Sequence, residues 1–120
     1  MKKPYIICHM MESIDGRIDC GMTEKLNGAI NPAEAVRILA EEFGVSRMAV
    51  VGGGTINAGF LDAGLLDEIS MLIAPGIDGR GGMGASFDHL SMEREPVLLK
   101  LEQAVPYEDG AVWLRYSIQE

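Results

Sequence analysis

Met48-Ala49-Val50-Val51-Gly52-Gly53-Gly54-Thr55-Ile56-Asn57 decides the fold. Its first four residues are apolar and too few for a helix, so 48–51 reads as a buried strand. Three glycines then strip every Cβ from the turn, which lets the backbone bend sharply and approach a ligand closely. Thr55 suits a helix N-cap, and Gly64 suits the close of a short helix over 56–63. Strand, glycine turn and helix N-terminus together present unpaired N–H groups and the positive end of a helix dipole, which is where phosphates bind. The same spacing also serves a tight turn that needs glycine only for packing. Gly52 and Gly54 fit a dinucleotide fingerprint, but Asn57 stands where its third glycine belongs, and no lysine follows to make a P-loop.

Upstream, residues 4–11 carry apolar side chains on both faces and read as a strand inside a sheet. His9 within it reads as a hydrogen-bonded core histidine rather than a catalytic one. Asp15-Gly16 then signals a turn, and Arg17-Ile18 starts a second short strand. Loops that follow buried strands carry working polar groups, which makes Ser13 and Asp15 candidates for substrate contact. The alternative for Asp15 is that its side chain merely closes its own turn. Residues 20–30 lack periodicity and read as a loop. Asn31-Pro32-Ala33-Glu34 is a helix start, with a capping residue, proline at the first position and Glu three residues after the cap. Val36, Leu39, Ala40 and Phe43 form its apolar stripe, and Gly44 ends it.

Downstream, residues 69–74 are apolar on both faces and stop at Pro75, as an interior strand does. With 48–51 and the intervening helix they predict a βαβ unit with parallel strands and a right-handed crossover. Residues 76–84, five of them glycine, predict an irregular loop at the carboxyl end of a parallel strand, where such sheets bind ligands. Arg80 in that loop either meets a phosphate or is solvated. Residues 97–105 and 111–118 flank the Asp109-Gly110 turn dipeptide and predict an antiparallel hairpin on the sheet edge. The fold class is α/β with a mixed, mostly parallel sheet.

The 120 residues predict one domain with a modest core. A formal charge of −8 and ten scattered basic residues speak against a nucleic-acid surface. Cys8 and Cys20 lack metal-ligand spacing, so no metal is expected, and they read as reduced thiols in a cytoplasmic protein. The N-terminus is too short and polar for a signal peptide or a membrane span.

Taken in order, the elements resemble a known family. Ser13-Ile14-Asp15-Gly16-Arg17-Ile18 is similar to the S-[LI]-D-G-[RK]-I element of the dihydrofolate-reductase-like reductases. The branch it resembles is the C-terminal reductase domain of the riboflavin-biosynthesis deaminase–reductase. The glycine turn followed by Phe60-Leu61-Asp62-Ala63-Gly64-Leu65-Leu66-Asp67-Glu68, then Leu72-Ile73-Ala74-Pro75-Gly76-Ile77-Asp78-Gly79-Arg80 and the hairpin ending Trp113-Leu114-Arg115-Tyr116, continue the match.

The resemblance implies a dihydrofolate-reductase-like fold and hydride transfer from NADPH to a small pyrimidine- or pterin-like acceptor. It places the cofactor pyrophosphate on Gly52, Gly53, Gly54, Thr55 and Ile56. It places Ser13 and Asp15 at the substrate, with Asp15 as the catalytic candidate. Val51 stands where the riboflavin enzymes carry a substrate-binding glutamate, which weakens the specific pyrimidine assignment. Between Ile18 and Asn31 the family's middle strands and helices are replaced by about a dozen residues. A shortened core of this kind leaves sheet surface to cover, so a homodimer is expected, with the Trp113 face as its first surface. A non-catalytic relative that binds nucleotide weakly, or only self-associates, is the alternative.

Overall fold

The computed structural model describes residues 3–18 and 31–119. Five strands form one mixed sheet: β1 (Tyr5–Glu12), β3 (Arg47–Val50), β4 (Glu68–Ile73), β6 (Leu99–Pro106) and β7 (Val112–Ile118), in the order β3-β1-β4-β7-β6. β1 runs parallel to β3, with Ile6 opposite Met48, and parallel to β4, with His9 opposite Ser70. β7 is antiparallel to β4, with Leu72 opposite Trp113, and β6 closes the edge as the other arm of the hairpin. The strands of the expected βαβ unit are therefore parallel but not adjacent, because β1 lies between them. A separate two-stranded ribbon pairs β2 (Arg17–Ile18) with β5 (Gly84–Ala85). That pairing gives the glycine-rich loop a strand that composition did not suggest.

The period-two alternation of β1 sends Ile6, Cys8 and Met10 into the core and leaves Tyr5, His9 and Met11 exposed on the opposite face. Val50, Ile69 and Met71 join the same core, roofed by Val36 of helix α1 (Pro32–Phe43) and Phe60 of helix α2 (Gly54–Asp62). Ile6 and Val36 are essentially fully buried, and each such side chain contributes on the order of 1.5–3 kcal/mol. Asp67 pins the start of β1: its Oδ2 accepts from the Ile6 amide at 2.8 Å and pairs with Lys3 Nζ at 2.6 Å.

Helix α1 starts and stops as its sequence dictates. Asn31 caps the Glu34 amide at 3.2 Å, Pro32 takes the first turn, and Gly44 ends the helix at φ 65°. Phe43, expected in the apolar stripe, is 71% exposed in the last turn. β3 also departs from expectation. It is an edge strand, and only Val50 is buried, while Ala49 and Val51 are exposed. His9 is hydrogen-bonded, Nδ1 to Ser70 Oγ at 2.8 Å, but it lies on the exposed face rather than in the core. Cys8 is a free buried thiol, whereas Cys20 and the loop expected over 20–30 lie outside the described residues.

Candidate functional site

The carboxyl ends of the three parallel strands gather the chain's polar loops. Each loop is built from the strand that precedes it. β1 ends at Glu12 and turns through Ser13 and Asp15, with Gly16 at φ 76°. The Asp15 carboxylate accepts from the Ser13 hydroxyl, from the Asp78 amide at 3.0 Å and from the Gly79 amide at 2.8 Å. It therefore does more than close its own turn, because it fastens the 76–80 loop to the β1 end. The Ser13 hydroxyl and the two amides together hold its carboxyl well below the usual carboxylate range. Arg80, weighed as a phosphate ligand, pairs with Asp78 at 2.7 Å.

The glycine turn follows β3 directly. Gly52 takes φ 110°, a backbone that L side chains rarely adopt, and a Cβ there would stand 3.2 Å from the end of Met10. Gly53, not Thr55, is the N-cap of α2, and no side chain caps that end. Thr55 sits two residues past that cap, with its hydroxyl 2.5 Å from His89 Nδ1. Gly54 is buried, and a Cβ on it would run into the carbonyl oxygen of Ala85. The Asp88 amide also bonds Gly54 O at 3.2 Å. Residues 85–89 thus cross the start of α2, a neighbour that local sequence gave no means of foreseeing.

The donors at this helix end suit an anion. The amides of Gly53, Gly54 and Ile56 have no hydrogen-bond acceptor among the described residues, whereas Asn57 N already bonds Gly53 O at 2.9 Å. With the dipole behind them they fit a phosphoryl group. No group among the described residues offers the three or more His, Cys, Asp or Glu side chains that a metal ion would need.

A second polar feature escaped the sequence reading. Glu12 continues the inward alternation of β1 and accepts from Ser86 Oγ at 2.5 Å. Ser86 is buried, and its carbonyl accepts from Asn57 Nδ2 at 2.9 Å, while Asn57 Oδ1 is buried without a donor among the described residues. Period-two alternation marks Glu12 as inward-facing, and that signal was available from the sequence. Its partner Ser86, far along the chain in a loop, was not.

Solved structures share this architecture at low identity. A pyrimidine reductase-like protein of Corynebacterium diphtheriae aligns over 77% of this chain and 37% of its own, at TM-score 0.65 and 21% identity. The Thermotoga maritima diaminohydroxyphosphoribosylaminopyrimidine deaminase/5-amino-6-(5-phosphoribosylamino)uracil reductase aligns over 98% and 57%, at TM-score 0.75 and 11% identity. The riboflavin biosynthesis reductase of Saccharomyces cerevisiae aligns over 98% and 90%, at TM-score 0.62 and 12% identity. The chain thus spans little more than a third of the first relative and just over half of the second. No curated protein sequence matches it. No helix among the described residues is long and apolar enough to cross a membrane. The family model described as the RibD C-terminal domain matches residues 20–113, which include the glycine turn, α2, β4 and most of the hairpin. The chain belongs to the RibD C-terminal domain family.

Proposed function

We propose that the chain is a reductase of the riboflavin-biosynthesis type, using NADPH to reduce a small pyrimidine- or pterin-like acceptor. The observation that carries this reading is the glycine turn, with its open amides, inside a stretch matched by the RibD C-terminal domain family. The pyrimidine reductases among its structural relatives support the pyrimidine side of that acceptor class. NADPH, when bound, supplies the hydride. The chain's own contribution is to hold and orient the reactants and to exclude water. Gly52, Gly53, Gly54, Thr55 and Ile56 hold the pyrophosphate, and Ser13 and Asp15 border the acceptor.

Asp15 serves by positioning. Its depressed carboxyl is ionised at neutral pH, so it accepts hydrogen bonds and holds the 76–80 loop rather than donating a proton. The same proposal takes the chain as a single domain without the family's middle segment, cytoplasmic, and paired as a homodimer through the Trp113 face.

One contact favours the second reading, a non-catalytic relative that binds nucleotide weakly or only self-associates: the Ala85 carbonyl already explains why residue 54 is glycine. A thermal-shift series with NADPH, NADH and inorganic pyrophosphate separates the two. A ligand bound only by the native state stabilises it by about 2.7 kcal/mol at a hundred times Kd. A saturable rise in Tm with NADPH supports the reductase reading, and no rise up to millimolar NADPH supports the second.

A further inference from the structure

We propose that Glu12 and Ser86 form the polar end of a pocket that binds a small flat cation, an aromatic amidine or a ring bearing a protonated amine. A cavity of about 400 Å³ opens between α2, β4 and the hairpin. Its walls include Leu61, Met71, Phe87 and Tyr116, and Glu12 and Ser86 line it as well. Apolar walls with a few fixed polar groups are the usual make-up of a small-molecule site.

Glu12 is the group that calls for a ligand. It occupies an inward position of β1, after Ile6, Cys8 and Met10, and is half-buried there. A carboxylate on an apolar wall is costly unless it is paired. Glu12 forms no ion pair among the described residues, and its one side-chain bond is the 2.5 Å bond from Ser86 Oγ to Oε2. Oε1 is left to accept from something else. The Ser86 end is rigid, because Asn57 Nδ2 holds the Ser86 carbonyl at 2.9 Å. The pocket therefore presents a fixed negative acceptor above a flat apolar surface. That arrangement suits N–H donors carrying positive charge and repels carboxylates and phosphates. Its charge preference is opposite to that of the α2 amides, so it is not the phosphate site, and it stands whether or not NADPH binds.

The test uses three isosteres that differ in charge: benzamidine, benzamide and benzoate. Each is titrated, without nucleotide, into the ¹⁵N-labelled wild type and Glu12→Gln at 0.15 M salt. Gln keeps an acceptor for Ser86 and removes the charge. We expect benzamidine to shift the amides of Glu12, Ser86 and Phe87 saturably, and benzoate to leave them unmoved. Glu12→Gln should weaken benzamidine about tenfold or more and leave benzamide unchanged, as the loss of one charge-assisted bond requires. Benzamidine shifts scattered over surface carboxylates, equal binding of benzoate, or unchanged benzamidine affinity in Glu12→Gln would each overturn the proposal. If the variant fails to fold, the comparison of benzamidine with benzoate on the wild type decides alone.

Discussion

The carbonyl group of Ala85 occupies the space that a side chain on Gly54 would need: a Cβ there would meet its oxygen and stand 3.2 Å from its carbon. Backbone cannot step aside as a flexible side chain can. Gly54→Ala should therefore push the 84–88 segment off α2 and cost roughly 1–3 kcal/mol. Gly59, on the same helix, is the control, since its Cβ would meet only Pro32 Cγ at 3.4 Å. Gly59→Ala should gain up to about 1 kcal/mol from helix propensity. Urea denaturation of both variants checks the pair, and equal destabilisation would refute the contact.

Asp15 gives a pH signature. Its carboxyl is depressed in the native state by the Ser13 hydroxyl and the amides of Asp78 and Gly79. The stability it contributes is therefore full above the unfolded carboxyl range, about 3.9, and is lost as pH falls toward the lower native value. Asp15→Asn should speed hydrogen exchange at Asp78 and Gly79, and its stability deficit relative to wild type should be constant above about pH 5 and shrink below pH 4. A deficit that grew on acidification would contradict the assigned bonds.

Burial pushes the Cys8 thiol up to about 12. The thiolate is the reactive form, so native Cys8 should resist alkylation at pH 8 and react only as fast as the protein opens. A Cys20→Ser background isolates the signal. Raised above its unfolded value, the group contributes stability that is lost only as pH climbs from about 8.5 toward 12. Prompt alkylation of folded protein would show that β1 is not the interior strand described.

Glu68 is buried on the second face of the sheet and pairs with Arg115 Nη1 at 2.6 Å. Arg115→Met leaves a buried carboxylate unpaired. Because the guanidinium is about a third exposed, we expect a cost of roughly 1–3 kcal/mol rather than the full value of a buried pair. Arg115→Met combined with Glu68→Gln should recover most of it, and a double-mutant cycle in chemical denaturation measures the difference.

What the sequence made legible was local or periodic. Asn31, Pro32 and Gly44 bound α1 through their own backbone preferences, whereas residues 4–11, apolar on both faces, announced a strand without saying which face it buries. The glycine turn announced a strand-to-helix joint. Its occupant was not announced, because residues 85–89 arrive from thirty positions away. Still longer separations hid the Glu12–Ser86 bond, 74 residues apart, and the pairing of Gly84–Ala85 with Arg17–Ile18. The solvent-facing histidine at position 9 and the edge position of β3 went unread for a related reason. Strand patterns report apolar content, but the number of neighbours is set by topology.

A glycine turn that holds a dinucleotide, as proposed, is read directly by an NADPH titration followed at the backbone amides. Saturable shifts should be largest at Gly53, Gly54 and Ile56, with inorganic pyrophosphate moving the same three resonances more weakly. Unmoved amides at these positions, with or without shifts elsewhere, would mean that the turn serves packing alone, and the reductase reading would fail with it.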